Sequence, residues 1–428
     1  IESNHNNGAM VTDVFNYAHV DVHTLGNHDF DWGEDKIESN KARVADDGWK
    51  MTNLASNIYD YDFSSHTEGV FQQDRLGESY YIKTLENGVK IGVVGVIGAD
   101  QITSICSPLV EDICFKNEID NVKTMSNKLK TELGCDFVIA SVHGSAADTK
   151  GLGLTDVSPV SGKKYVDYVV CGHSHQYENY VENGVYYTQA AAYGERVFRA
   201  TFTLLDGELK QTDIGGLNYA GITAQVKTID SNITKIMASY EKEYSSIGSQ
   251  VLGTGSGNFS KTNQLPNFLC KAVYEEAKAE GYNVDIACSN NARYDIRASG
   301  NVTYSQFYEA FPFDNIIYIV KVTGSKNIAE VCYDGNYCYH DPSLTSMSAS
   351  KTYTVAVIDY LLWHTNSNRY YDYFSHSSSN MQILGMLKKD GNAYLYRDIA
   401  ADYFKKQSRT VNASDYSSSN AGFVKPTY

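Results

Sequence analysis

Short apolar runs, each closed by polar residues, dominate the first half of the chain. Residues 89–98 (VKIGVVGVIG), 136–144 (DFVIASVHG) and 165–175 (YVDYVVCGHSH) are the clearest. Runs of this length without period-two alternation predict strands buried on both faces. A helical pattern over 117–133 precedes the second run, and a weaker one precedes the third. Strands alternating with helices predict an α/β layout whose chemistry sits at the strand C-termini. Residues 222–250 space Ile, Met and Tyr as an amphipathic helix does and read as a connector. A second α/β region follows, with NVDIACSNNARYDI, NVTYSQFYEAFPFDNIIYIVKVTG and KTYTVAVIDYLL as its elements. The expected organisation is therefore 1–221, 222–250 and 251–428. The Ser-, Asn- and Tyr-rich tail after Val411 is expected to pack loosely.

Composition narrows the classes. A chain of 428 residues with 42% hydrophobic content supports a sizeable core in two or three domains. The net charge of −15 argues against a general binder of nucleic acid or anionic membrane. No apolar run is long enough for a bilayer span. Cys171, Cys270 and Cys288 sit in apolar contexts and read as small buried hydrophobes, while Cys106 with Cys114, and Cys332 with Cys338, are spaced to close short disulfide loops. With sequons at Asn232, Asn258, Asn301 and Asn412, these pairs point to an extracellular, lumenal or cell-surface location. The 34 tyrosines suit a carbohydrate-contacting or self-associating surface, against the alternative of compositional drift.

Three polar clusters, GNHDFD, SVHG and CGHSH, end three expected strands. Neutral imidazoles and an amide oxygen are good ligands for borderline divalent metals, and strand ends bring such ligands together from distant parts of a chain. A lone His is more often structural; three clusters in order, each after an apolar run, are a stronger signal. Asp29 reads as a capping carboxylate, and His23 and Trp32 as packing residues.

These clusters carry a resemblance to the calcineurin-like metallophosphoesterases, and within them to the two-domain 5′-nucleotidase family. TLGNHDFDWG (24–33) resembles the family's Gly-Asn-His-Glu/Asp motif, SVHG its single-His motif, CGHSHQ its Gly-His-x-His motif, and QAAAYGERV (189–197) the stretch that follows. The resemblance implies a four-layer αββα domain joined by a helix to a second α/β domain, and two divalent ions, Zn, Mn or similar. It implies Asn27, His143 and His173 as ligands of one ion and His175 as a ligand of the other. His28 matches the catalytic histidine and Asp31 the carboxylate that orients it. Two ions about 3.5–4 Å apart activate a bridging water and clamp the phosphoryl oxygens, while a neighbouring His⁺ stabilises charge or protonates the leaving oxygen.

In the second region NVTYSQFYEAFPFDN resembles the segment that stacks a Phe on the nucleobase, which implies Phe313; Phe311 reads as core. SNNARYDIRASG resembles the family's Asn-Gly-Gly-Gly-Ile-Arg segment in part, which implies Asn290 and Arg293, with Arg297 competing. DYLLWHTNSNRYYDYF stands where the family has a Gly-rich loop, implying Tyr370 or Tyr371 as a second stacking face and Asp372 for a ribose hydroxyl.

The family's Asp-x-His and Gly-Asp motifs have no counterpart: IESNHNNGAMVTDVFNYAHVDV resembles the segment after the bridging Asp, and His5 lacks a preceding apolar strand. The expectations are an N-terminally incomplete domain, a processed form that keeps its N-terminal fragment as partner, or a degenerate relative. The functional expectation is a secreted metal-dependent phosphoesterase acting on a nucleotide or related phosphate ester. The alternative is a catalytically impaired structural protein that forms homo-oligomers or polymers.

Overall fold

The computed structural model describes residues 2–62, 67–68, 76–102, 104–105, 109–110, 112–205, 208–226, 228–325, 328, 337–363 and 381–427. Contacts divide the chain into two compact units, one on Gly8–Met237 and one built mainly on Ala238–His364 and the residues towards the C-terminus.

The three apolar runs form neighbouring strands of a six-stranded sheet. Its order is Tyr177–Glu182, Val185–Ala190, Tyr168–Cys171, Phe137–His143, Lys90–Ile97 and Tyr81–Thr84. The inner four are parallel and the two edges antiparallel. Helix Glu118–Thr131 buries Val122 and Leu129 in the same cluster as Val94, Val138 and Val169. A second cluster gathers Leu25, Phe30, Ile58 and Phe115 around Ile97.

One glycine decides how the Asn27 turn meets this sheet. A parallel pair, Val22–Thr24 with Thr52–Leu54, packs on Gly95, where an added Cβ would stand 2.3 Å from Leu54 Cβ and 2.8 Å from Thr24 Oγ1. No real side chain survives such an approach, so glycine there is a packing requirement. Thr24 Oγ1 then donates to Ser141 Oγ at 2.7 Å, which ties the strand before Asn27 to the strand that ends in His143.

In the other unit a five-stranded sheet runs Tyr337–His340, Ile286–Ser289, Thr352–Ile358, Ile317–Thr323 and Met381–Met386, and a three-stranded sheet is centred on Val251–Phe259. Helix Gln264–Ala279 buries Phe268, Leu269 and Val273. The α/β class read from the pattern is the class observed.

Four local expectations change. The 222–250 stretch is not one helix: Tyr219–Gln225 ends, Ser231–Gly248 begins, and the break between units falls inside the latter. The restart is capped by Asp230, whose Oδ1 accepts from the amides of Asn232 at 2.7 Å and Ile233 at 3.3 Å. The tail packs: Tyr416 and Phe423 are buried, and Asn267 Nδ2 donates to the Tyr416 carbonyl at 2.9 Å. The Cys332–Cys338 pairing does not form, because Cys338 is a free thiol inside a buried strand and its burial pushes the thiol up to about 11. Cys288, opposite it in register, is disulfide-bonded rather than a bare hydrophobe. Cys114 is buried in strand Ile113–Phe115; Cys106 and Cys332 lie outside the described residues.

Candidate metal centre and substrate platform

The first polar cluster is a single turn, Asn27–Phe30, entered through Gly26. Asp29 Oδ2 accepts from the Gly26 amide at 2.7 Å, which is the capping role expected of it. A Cβ on Gly26 would stand 2.5 Å from the His143 ring, so this glycine lets the imidazole lie against the turn's backbone. Asn27 is buried beside it.

His143 ends its strand, and His173 lies just past Cys171 on the adjacent one. Asn27 Oδ1 is 2.8 Å from His143 Nε2 and 3.1 Å from His173 Nδ1, and the two ring nitrogens are 3.2 Å apart. The amide oxygen only accepts, and each neutral ring has one bare lone pair. Three donor atoms facing one point fit a cation well, and a network of shared protons poorly. Burial holds the His143 imidazole down to about 3, with the neighbouring His173, His28, His23 and His175 adding to the effect. Burial also lowers His173, reinforced by His28 and His175. Both rings are therefore neutral at physiological pH, the state a metal requires.

His28 Nδ1 meets Asp31 Oδ2 at 2.9 Å, and its ring is about half exposed, 53% for the side chain. A carboxylate on one ring nitrogen orients the ring and leaves the other nitrogen for a substrate. His175 packs edge-on against Tyr193, with ring centroids 5.6 Å apart. Among the described residues no three His, Cys, Asp or Glu side chains gather as a metal site, so the trio depends on its asparagine. His23 lies near Asp29, 3.7 Å from its carboxylate. Both His173 and His175 have left-handed backbone, φ 71° and 60°. Such geometry in non-glycine residues persists only where surrounding contacts hold it.

In the other unit Asn290 and Arg293 lie in the loop after strand Ile286–Ser289, and Phe313 follows helix Tyr304–Ala310. The Arg293 guanidinium sits over the Phe313 ring, 4.8 Å from its centroid, and the Arg293 amide donates to the Ala310 carbonyl at 2.8 Å. Phe311 is core, as expected. Arg297 lies instead within strand Ile296–Thr303, exposed and in register with Asn258. Tyr370, Tyr371 and Asp372 fall outside the described residues.

Sequence reasoning passed over the residue that holds this platform. Arg397 is buried, pairs with the Asp314 carboxylate, and donates to the carbonyls of Phe313 at 2.8 Å and Pro312 at 3.3 Å. Its signal is positional: it shares a helix stripe with Ala400, Ala401 and Phe404, where an arginine has no solvent to face. Glu178 was missed as well, because strand Tyr177–Glu182 reads as a polar edge.

The family model of the 5′-nucleotidase C-terminal domain matches residues 248–331. The cell wall protein Lmo0130 of Listeria monocytogenes is 23% identical over 365 residues, 73% of this chain and 44% of that protein. The 5′-nucleotidase of Vibrio cholerae is 24% identical over 352 residues, 72% of this chain and 60% of that protein. The chain thus spans less than two thirds of the length of these curated relatives. Among solved structures, a 5′-nucleotidase precursor from Thermus thermophilus superposes with TM-score 0.67 at 14% identity, covering 96% of this chain and 87% of that one. A putative 5′-nucleotidase from Staphylococcus aureus gives 0.65 at 15%, with 94% and 85% covered. At that identity the structures establish a shared fold; residues 248–331 match the 5′-nucleotidase C-terminal domain family, and along most of its length the chain is similar to 5′-nucleotidases.

Proposed function

We propose that the chain is a metal-dependent phosphoric ester hydrolase acting on a nucleotide or related phosphate ester outside the cytoplasm. One observation carries this reading: three donor atoms from three separate strand ends lie within 2.8–3.2 Å of one another. Asn27 Oδ1, His143 Nε2 and His173 Nδ1 would hold one divalent ion, and His175 would contribute to a second. Such ions, when bound, supply Lewis acidity and a water of lowered pKa.

The chain's own groups do the rest. His28, oriented by Asp31, donates a proton to the departing oxygen or stabilises charge on the phosphoryl group. Phe313 offers a flat face to a base and Arg293 a cation beside it, so residues 251–428 select the organic part of the ester while residues 1–221 cleave it. An extracellular or cell-surface setting is consistent with the sequons, three of which, Asn232, Asn258 and Asn301, are exposed.

The test is to dialyse the full chain against chelator, then restore Zn²⁺ or Mn²⁺ while following release of phosphate from nucleoside monophosphates and from a small aryl phosphate. Activity that tracks the metal and prefers nucleotides is expected. Turnover that survives chelation removes the metal mechanism, and a metal-binding chain without turnover favours the structural alternative.

A further inference from the structure

Strand Tyr177–Glu182 is an edge strand whose side chains are mostly exposed; its one fully buried position is a carboxylate, Glu178. Burying a carboxylate is unfavourable unless donors surround it, and these donors come from two different loops. Glu178 Oε2 accepts from the Ala146 amide at 2.9 Å, and Oε1 from the Ala147 amide at 3.2 Å. Both amides open the short helix Ala146–Thr149 that follows the His143 strand. From the other side Ser174, between His173 and His175, donates its hydroxyl to Oε2 at 3.4 Å. Gln189, the direct cross-strand partner of Glu178, donates Nε2 to Ser174 Oγ at 2.5 Å and to the Gln176 carbonyl at 2.8 Å.

Glu178 answers the first two amides of the short helix Ala146–Thr149, but capping does not account for its contact with Ser174. Ser145 completes the cap by accepting from the third amide, that of Asp148, at 3.0 Å. The reach of Glu178 across to Ser174 has no capping purpose. It fastens the residue between two left-handed histidines to the loop that follows His143.

We propose that Glu178 is a positioning residue that locks the His143 and His173 loops together, so that His143 Nε2 and His173 Nδ1 stay poised around a common cation. Gln189 supports it by holding Ser174 from the opposite strand. The inference rests on the reading of Asn27, His143 and His173 as a metal site. Second-sphere partners of metal ligands change metal affinity by about 10–100-fold when removed.

The test compares the full chain with Glu178→Ala, Glu178→Gln and the control Glu182→Gln. The control alters a carboxylate of the same strand that instead contacts Tyr187 and Thr155. Zn²⁺ affinity is measured by chelator competition, and thermal stability in EDTA is recorded separately. The expected result is a Zn²⁺ dissociation constant about 10–100-fold weaker in Glu178→Ala. Glu178→Gln, which keeps one acceptor oxygen, should lose less, and Glu182→Gln should match the parent. In EDTA the melting temperature of Glu178→Gln should stay near that of the parent. Unchanged Zn²⁺ affinity in both Glu178 variants, or an equal loss in Glu182→Gln, overturns the role of Glu178 while leaving the metal site standing. A parent chain that takes up no Zn²⁺ overturns the site and, with it, this inference.

Discussion

The two units assemble their candidate chemistry in opposite ways. In the Gly8–Met237 unit, donors separated by 116 and 30 residues in sequence meet because parallel strands end side by side. In the other unit, Arg293 and Phe313 lie on neighbouring loops of the chain, and a single buried arginine from a distant helix holds the Phe313 backbone. The first arrangement is as rigid as the sheet beneath it. The second leans on a buried ion pair, the Arg397 hydrogen bonds and the Arg293 amide bond to Ala310. The matched family domain covers 248–331 and not the histidines, whereas the curated relatives align over about 72–73% of the chain.

The sharpest way to separate the units is to disable one and leave the other working. His28→Asn should lower kcat by about 10²–10⁴-fold on every phosphate ester, with bound Zn²⁺ and nucleotide affinity unchanged; metal analysis beside steady-state kinetics checks it. Equal turnover would remove His28 from the reaction. Arg397→Met should act on the other unit: it removes the buried ion pair to Asp314 and the hydrogen bonds to the Phe313 and Pro312 carbonyls, and should destabilise that unit by about 2–4 kcal/mol in denaturant titration. If the units are independent in function, aryl phosphate hydrolysis survives at temperatures where nucleotide selectivity is lost.

Smaller effects test the geometry itself. Gly26→Ala places a methyl group against the His143 ring, 2.5 Å away before relaxation, and should reduce kcat/KM by about a hundredfold through displacement of the ring. A variant with full activity would mean that the turn relaxes and that the glycine serves only the backbone. Phe313→Ala should weaken nucleoside monophosphate binding by about 1–3 kcal/mol in calorimetry while leaving a small aryl phosphate almost untouched. Parallel losses on both substrates would mark a folding defect and erase the distinction between the two regions.

Much of the first unit was legible because buried parallel strands leave continuous apolar runs, and residues 89–98, 136–144 and 165–175 all became such strands. The histidines were legible because each stands at the end of one. Glu178 and Gln189 were not: one sits on an exposed edge strand, and only its facing loops make it a buried group. The same holds for Arg397, whose place on an apolar stripe is visible in the helix pattern but whose partners come from residues 312–314. The tail after Val411 was misjudged because composition records polarity along the chain, whereas Tyr416 and Phe423 find a hydrophobic surface made elsewhere.

Local pattern determined the α/β class, the order of the elements and the polar clusters at the strand ends, since these depend on periodicity and residue type, while the residues expected to face a base followed from the family resemblance. Tertiary structure decided which of those side chains meet. Asn27, His143 and His173 converge while His175 turns to Tyr193, and Glu178 becomes buried between two loops. The physical reason is that strand register and backbone contacts at glycines set distances to tenths of an ångström, and neither is written in any stretch shorter than the sheet itself.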